Sequence, residues 1–223
     1  MPRSAATHTA QPASVGYTMG AIMLTLTMIG LAAAYGVSAW LHASVRALSP
    51  GAAAGIVQRT LVGKQLSIPA AWLRGDAEQA EGFSSRIELR ISLPLGHGQT
   101  QAPIEVTLLP LSQIRPSASL LDGVYLHQFI PNEVSGPAGL VGKPLYGADG
   151  YAGETVWYDA LSQSPFVAKC TAPPDGPGPA QCLRSVALPD GIAAVYAFDG
   201  GVLESWKQFD PQMKGVLRRI GAL

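Results

Sequence analysis

Alternating hydrophobic and polar positions predict β-strands along most of the chain after Ile56. The clearest case is Ser85 to Leu93 (SRIELRISL), in which every second residue is Ile or Leu. Pro103 to Leu109 (PIEVTLL) repeats the pattern, and the intervening GHGQTQA predicts a hairpin loop. Such alternation places apolar side chains on one face of a strand and polar ones on the other. Further candidate strands are 56–63, 65–73, 124–130, 154–158, 166–170, 182–188 and 192–198.

The pattern becomes helical near the end of the chain. Apolar residues recur at helical spacing from Met213 to Ile220, and Asp210-Pro211 supplies an N-cap followed by proline at the first helical position. These features predict a helix from Asp210 to Gly221. Val202 to Gln208 is open to two interpretations, because it could pair back as a hairpin or begin the helix early.

The order of these elements predicts an α+β fold that is mainly antiparallel β. We expect about nine short strands and a C-terminal helix, since strands that follow strands argue against a parallel sheet. The 25 glycines and 18 prolines favour short strands joined by turns. We find no internal repeat.

An uninterrupted apolar segment near the N-terminus predicts a transmembrane helix. No Asp, Glu, Lys or Arg lies between Arg3 and Arg46, and the stretch from Met19 to Leu41 is long enough to cross about 30 Å of hydrocarbon. The predicted organisation is a disordered tail (1–16), a transmembrane helix (17–42), a linker (43–55) and a β-rich domain (56–223). A cleavable signal peptide is the alternative, because Val37-Ser38-Ala39 fits a cleavage site.

Small residues in the predicted transmembrane helix indicate a possible packing face. Gly20, Gly30 and Ala34 are candidates for a helix–helix interface, because small side chains allow helices to approach closely in lipid. The predicted partners are therefore the bilayer and integral membrane protein subunits.

Charge and cysteine content bear on the compartment. From Ala47 onward the chain has thirteen Lys and Arg and fifteen Asp and Glu, and this slightly negative balance argues against nucleic acid as a partner. The only cysteines, Cys170 and Cys182, flank TAPPDGPGPAQ, a loop that can bring its ends together. A disulfide between them would persist in an oxidising compartment. We therefore expect the domain to lie in a periplasm-like space and the N-terminus to be cytoplasmic.

Candidate chemistry is sparse. The four histidines (8, 42, 97 and 127) have no spacing typical of metal ligands, and no nucleophile elbow, phosphate loop or C-x-x-C pair occurs. Gly136, Gly139 and Gly142 resemble a phosphate loop only loosely and predict a structural loop. Acids and aromatic residues between 146 and 159 could line a sugar pocket, but inward-packed aromatics beside solvated acids are the simpler interpretation. We predict no catalytic residue, no cofactor and no metal site.

Four features resemble a group of uncharacterised single-pass membrane proteins of alpha-proteobacteria that face the periplasm. They are TLVGKQLSIPAAWLR, SGPAGLVGKPLY, the Cys170 and Cys182 pair, and VYAFDGGVLESWKQFD, in that order within residues 56–221. The resemblance implies a single-pass protein of the bacterial inner membrane with its domain in the periplasm, and it implies no activity. The first expectation for function is an anchored interaction module, such as an accessory, assembly or scaffold subunit. A periplasmic domain that binds a small molecule or glycan is the alternative, and an anchored enzyme is the third.

Overall fold

The computed structural model describes residues 55–74, 81–96, 98, 100–147, 153–173 and 178–223. The predicted tail (1–16), transmembrane helix (17–42) and interface residues Gly20, Gly30 and Ala34 lie outside these residues, as does the predicted linker (43–55) apart from Gly55. In the described ranges, no helix has both the length and the apolar character needed to cross a membrane.

Ten strands are found within the described residues, close to the number that the alternation predicts. They are β1 (Ile56–Leu61), β2 (Lys64–Pro69), β3 (Gly82–Phe83), β4 (Ile87–Leu93), β5 (Ala102–Pro110), β6 (Val141–Pro144), β7 (Glu154–Tyr158), β8 (Val167–Thr171), β9 (Gln181–Ala187) and β10 (Ile192–Asp199).

Seven of these strands form one antiparallel sheet, in the order β4-β5-β10-β9-β8-β7-β6. The predicted hairpin of β4 and β5 forms one end, and β6 to β10 follow as a meander whose last strand returns beside β5. The alternation along β4 places Ile87, Leu89 and Ile91 in the core and leaves the polar residues between them more exposed. The mainly antiparallel fold class is therefore confirmed.

The other three strands form a small sheet in the order β2-β1-β3. A two-residue turn joins β1 and β2, and Val62 and Gly63 both have the positive φ that such a tight hairpin needs. β3 pairs with β1 in parallel, which the sequence pattern did not predict. The backbone near the C-terminus closes the outer edge of β2, because Ser67 N donates to Ile220 O at 3.0 Å.

Helices are few in the described part of the chain. The α-helices are α1 (Ser117–Gly123) and α2 (Trp206–Arg219), and 3-10 turns occupy Ala70–Trp72, Leu111–Gln113, Tyr125–His127, Pro189–Gly191 and Gly200–Ser205. One core cluster joins the inward residues of both sheets to the buried face of α2, where Phe209 is fully buried. A smaller core lies under α1, where Leu121 and Tyr125 pack with Val156 of β7 and Val167 of β8.

The predicted start of the C-terminal helix is wrong. α2 begins at Trp206, so Pro211 lies inside the helix and Asp210 is not its N-cap. Of the two interpretations of Val202 to Gln208, the early start is correct, and a 3-10 turn leads into the helix. The physical reason is tertiary, because burial of Phe209 and the ion pair of Asp210 with Arg184 hold these residues in helical geometry.

The predicted strand at 124–130 is also wrong. This segment contains a 3-10 turn at Tyr125–His127 that follows α1 directly. Its apolar residues do not all face inward, since Tyr125 is buried whereas Leu126 is 48% exposed. The first part of the segment packs on the sheet as a helical turn, and only Phe129 forms an antiparallel bridge, with Leu145 just after β6.

Candidate functional site

The predicted disulfide between Cys170 and Cys182 is present. The two residues lie directly opposite each other on β8 and β9, with Cα atoms 3.9 Å apart. Both side chains are buried in the main core, which indicates a structural bond. A disulfide is consistent with an oxidising, extracytoplasmic compartment.

The glycine-rich segment packs on tryptophan rings. A Cβ atom at Gly136 or Gly142 would overlap the ring of Trp157, and one at Gly139 would approach the ring of Trp206 to 3.1 Å. Trp206 Nε1 donates to the backbone oxygen of Ala138 at 3.1 Å. The glycines therefore allow close packing, as a structural segment requires, although part of the segment is strand β6 and not loop.

The acids and aromatic residues near β7 have structural partners. Glu154 accepts a hydrogen bond from Lys169 at 2.7 Å, and Asp159 caps the following turn by accepting from Leu161 N. Tyr158 stacks on Phe129 with ring centroids 5.8 Å apart. These contacts give the residues structural roles, but the predicted pattern of inward aromatics and solvated acids is not followed, because the Glu154 side chain is only 12% exposed and Tyr146 is 63% exposed. Asp149 and Tyr151 lie outside the described residues.

The described ranges contain no group of three or more His, Cys, Asp or Glu side chains that could hold a metal ion. His127 ends a 3-10 turn and is not in a strand. His8, His42 and His97 lie outside the description.

The outward side of the small sheet forms a surface without charged side chains, which we call the outer face. Burial alternates along β1, so Val57, Arg59 and Leu61 point into the domain and the residues between them point outward. Phe83 is 90% exposed and Ile56 is 64% exposed. The outer face consists of Ile56, Gln58, Thr60, Gln65, Ser67, Pro69 and Phe83.

A cleft of about 130 Å³ lies between α2 and the ends of β9 and β10, and we call it the helix cleft. Its walls are mostly apolar and include Leu188, Met213 and Leu217. Tyr196, Asp210 and Lys214 provide its polar groups. A mainly apolar cavity with a few converging polar groups is typical of small-molecule sites.

Arg184 and Asp210 form a two-pronged ion pair beside the helix cleft. Arg184 Nε donates to Asp210 Oδ1 at 3.1 Å and Nη2 donates to Oδ2 at 2.7 Å. Nη1 donates to the Val167 carbonyl, and the guanidinium lies over the Phe166 ring at 4.4 Å. These contacts satisfy a side chain that is almost fully buried and tie β9 to α2.

Tyr196 lines the helix cleft and is the one described residue there with a hydroxyl-bearing side chain. The residue is 1% exposed, and its ring packs edge-on against Phe209. Burial raises the pKa of the hydroxyl, and the nearby Asp210 carboxylate raises it further. Among the residues that the structure describes, none forms a hydrogen bond with this hydroxyl. The fully buried polar atoms of the described residues that lack a hydrogen-bond partner do not include this oxygen, so the cleft leaves it accessible and a bound group could accept a hydrogen bond from it.

A second cleft, of about 350 Å³, lies on the polar face of the large sheet and includes Glu105. Arg74 and Arg90 each donate to one oxygen of this carboxylate at 2.8 Å. The hydrogen bond from Arg90 lowers the pKa of Glu105, and the charge of Arg74 acts in the same direction. The three groups are well exposed and satisfy one another.

Sequence reasoning missed the outer face and the helix cleft. The parallel pairing of β3 with β1 has no local signal, and Tyr196 follows the same alternation as its core neighbours. Comparison with protein family models, with curated proteins and with solved structures finds no match for this chain.

Proposed function

We propose that this protein is a membrane-anchored, periplasmic interaction module, whose outer face binds an uncharged extracytoplasmic surface of an integral membrane protein. The observation that carries the proposal is the outer face itself. Cores of protein interfaces are poor in charge and rich in aromatic side chains, whereas their rims are polar. None of the seven outer-face residues is charged, and Glu81 and Arg86 flank β3 in the sequence.

The exposed apolar side chains supply the anchors. Phe83 is 90% exposed on a short edge strand, although burying such a ring in an interface would be strongly favourable. Ile56 lies on the central strand β1 of the same sheet. The two apolar side chains are separate anchors on one uncharged surface, four residues apart along β1, because Phe83 lies opposite Thr60.

The position of the outer face along the chain supports a partner in the membrane. β1 starts at Ile56, directly after the predicted linker (43–55). Thirteen residues reach at most about 45 Å when fully extended. A membrane protein that packs on the predicted transmembrane helix through Gly20, Gly30 and Ala34 would therefore be tethered to the same chain as the outer face.

The proposal is tested by comparing two exposed apolar residues. Phe83→Gln and Leu161→Gln each remove a side chain that is at least 90% exposed, but Leu161 lies in the turn before β8, outside the outer face. We expect Phe83→Gln to shift the full-length protein in native membranes from a large complex to the free chain on native electrophoresis. Leu161→Gln should leave the complex unchanged.

A photo-crosslinking residue placed at position 83 should join the chain to an integral membrane protein, and one placed at 161 should not. The proposal is overturned if Phe83→Gln leaves the complex intact. Crosslinks at 83 that form only to lipid or to a second copy of this chain would also overturn it.

A further inference from the structure

We infer that the helix cleft binds a small apolar carboxylate, with the carboxylate group held by Tyr196 and Lys214. This inference is independent of the outer face and of any membrane partner. It concerns the residues that line the cleft between α2 and the ends of β9 and β10.

The size of the helix cleft limits its ligand to a small molecule. A cavity of about 150 Å³ with apolar walls accommodates benzene, and the cleft has about 130 Å³. Val186, Leu188 and Leu217 form walls that offer dispersion contacts but no hydrogen bonds. These walls suit a short hydrocarbon chain.

The charges at the helix cleft favour an anion. The charge of Asp210 is neutralised by its ion pair with Arg184, which also donates a hydrogen bond to the Val167 carbonyl. Lys214 lies one turn after Asp210 on α2 and adds a positive charge at the rim. The side chains of Arg184, Asp210 and Lys214 together carry one net positive charge.

Tyr196 supplies the donor that a carboxylate needs. Tyr196 lines the helix cleft, its raised pKa keeps the hydroxyl protonated, and the hydroxyl forms no hydrogen bond with another described residue. A carboxylate that accepts from this hydroxyl and from the Lys214 ammonium would satisfy both groups, and its hydrocarbon chain would contact the apolar walls. A neutral alcohol would gain less from Lys214, and an amine would be repelled by it.

Met213 provides a spectroscopic probe at the site. It lines the helix cleft, and the other four methionines lie at positions 1 to 28. The full-length protein in lipid nanodiscs, labelled with ¹³C at the methionine methyl groups, can be titrated with hexanoate, hexanol and hexylamine. We expect a saturable shift of the Met213 resonance with hexanoate and much weaker shifts with the other two probes.

Three variants separate binding from folding. Tyr196→Phe keeps the buried ring and removes the hydroxyl, so hexanoate affinity should fall about tenfold. Lys214→Gln should lower hexanoate affinity more than Tyr196→Phe does when the salt concentration is low. Lys207→Gln is the control and should leave hexanoate affinity unchanged, because Lys207 lies on the same helix beside Trp206 and does not line the cleft. The inference is overturned if Met213 shows no saturable shift, if all three probes act equally, or if Tyr196→Phe binds hexanoate as well as the parent chain.

Discussion

At the scale of single residues, buried charge and close ring packing decide most of what the domain tolerates. Arg184 is almost fully buried, and its positive charge is compensated by Asp210, whose side chain is 38% exposed. The sequence suggested a capping role for Asp210, since Asp-Pro commonly begins a helix. No local pattern could indicate that its partner lies 26 residues earlier on β9.

Replacing Asp210 should destabilise the domain strongly. Asp210→Ala leaves the Arg184 guanidinium buried without its counter-charge, so we expect a loss of about 3 kcal/mol in the free energy of unfolding, at the lower end of such effects because water reaches Asp210. Urea denaturation measures the change. Glu88→Ala is the control, since its 3.8 Å pair with Arg86 is exposed and should be worth less than about 1 kcal/mol. Equal losses in the two variants would contradict the structural role of the buried pair.

At the scale of elements, the sequence predicted strands where one face is buried and failed where tertiary contacts decide. β4 and β5 were predictable because their alternation matches a sheet with one buried face. The strand predicted at 124–130 failed because a short apolar run fits a helical cover as well as a strand. The start of α2 failed because burial of Phe209 outweighed the local Asp-Pro signal.

Two glycine variants test how tightly strand β6 and helix α2 are packed. Gly142→Ala in β6 should cost about 1–3 kcal/mol, because the added Cβ would lie 2.5 Å from Trp157 Cζ3. Gly215→Ala should stabilise the domain by about 0.5–1 kcal/mol, because the position is open space on the exposed side of α2. Thermal unfolding of the two variants should therefore shift in opposite directions. A neutral Gly142→Ala would show that Trp157 can move aside.

At the scale of the whole molecule, the sequence predicted the fold class and the disulfide. It predicted neither the outer face nor the helix cleft, the two surfaces that we propose as sites. The outer face depends on a two-residue strand that pairs with a distant one. The helix cleft depends on how α2 lies on the sheet. Both surfaces arise from contacts between segments that are far apart in the chain. The hydrophobic periodicity within one segment cannot predict such contacts.

The compartment of the domain can be measured in intact cells. If the domain is periplasmic, a reporter that is active only in the periplasm should function when fused after Leu223. Cys170 and Cys182 should also resist alkylation until a reductant is added. Free thiols at both positions in protein taken from cells would contradict the periplasmic location. A mature N-terminus at Trp40 would favour the signal peptide over the uncleaved helix.

The closed outer edge of β2 has a consequence for biogenesis. Ser67 is held by the backbone of Ile220, and Lys64 Nζ approaches the Ala222 carbonyl at 3.5 Å, so the first hairpin of the domain is completed by its final residues. Contacts of such long sequence separation form late and slowly. A nascent chain that still lacks residues 206–222 therefore cannot close its core. If the domain is exported, as we propose, such a chain should stay unfolded during translocation, and folding should follow once residues 206–222 have emerged.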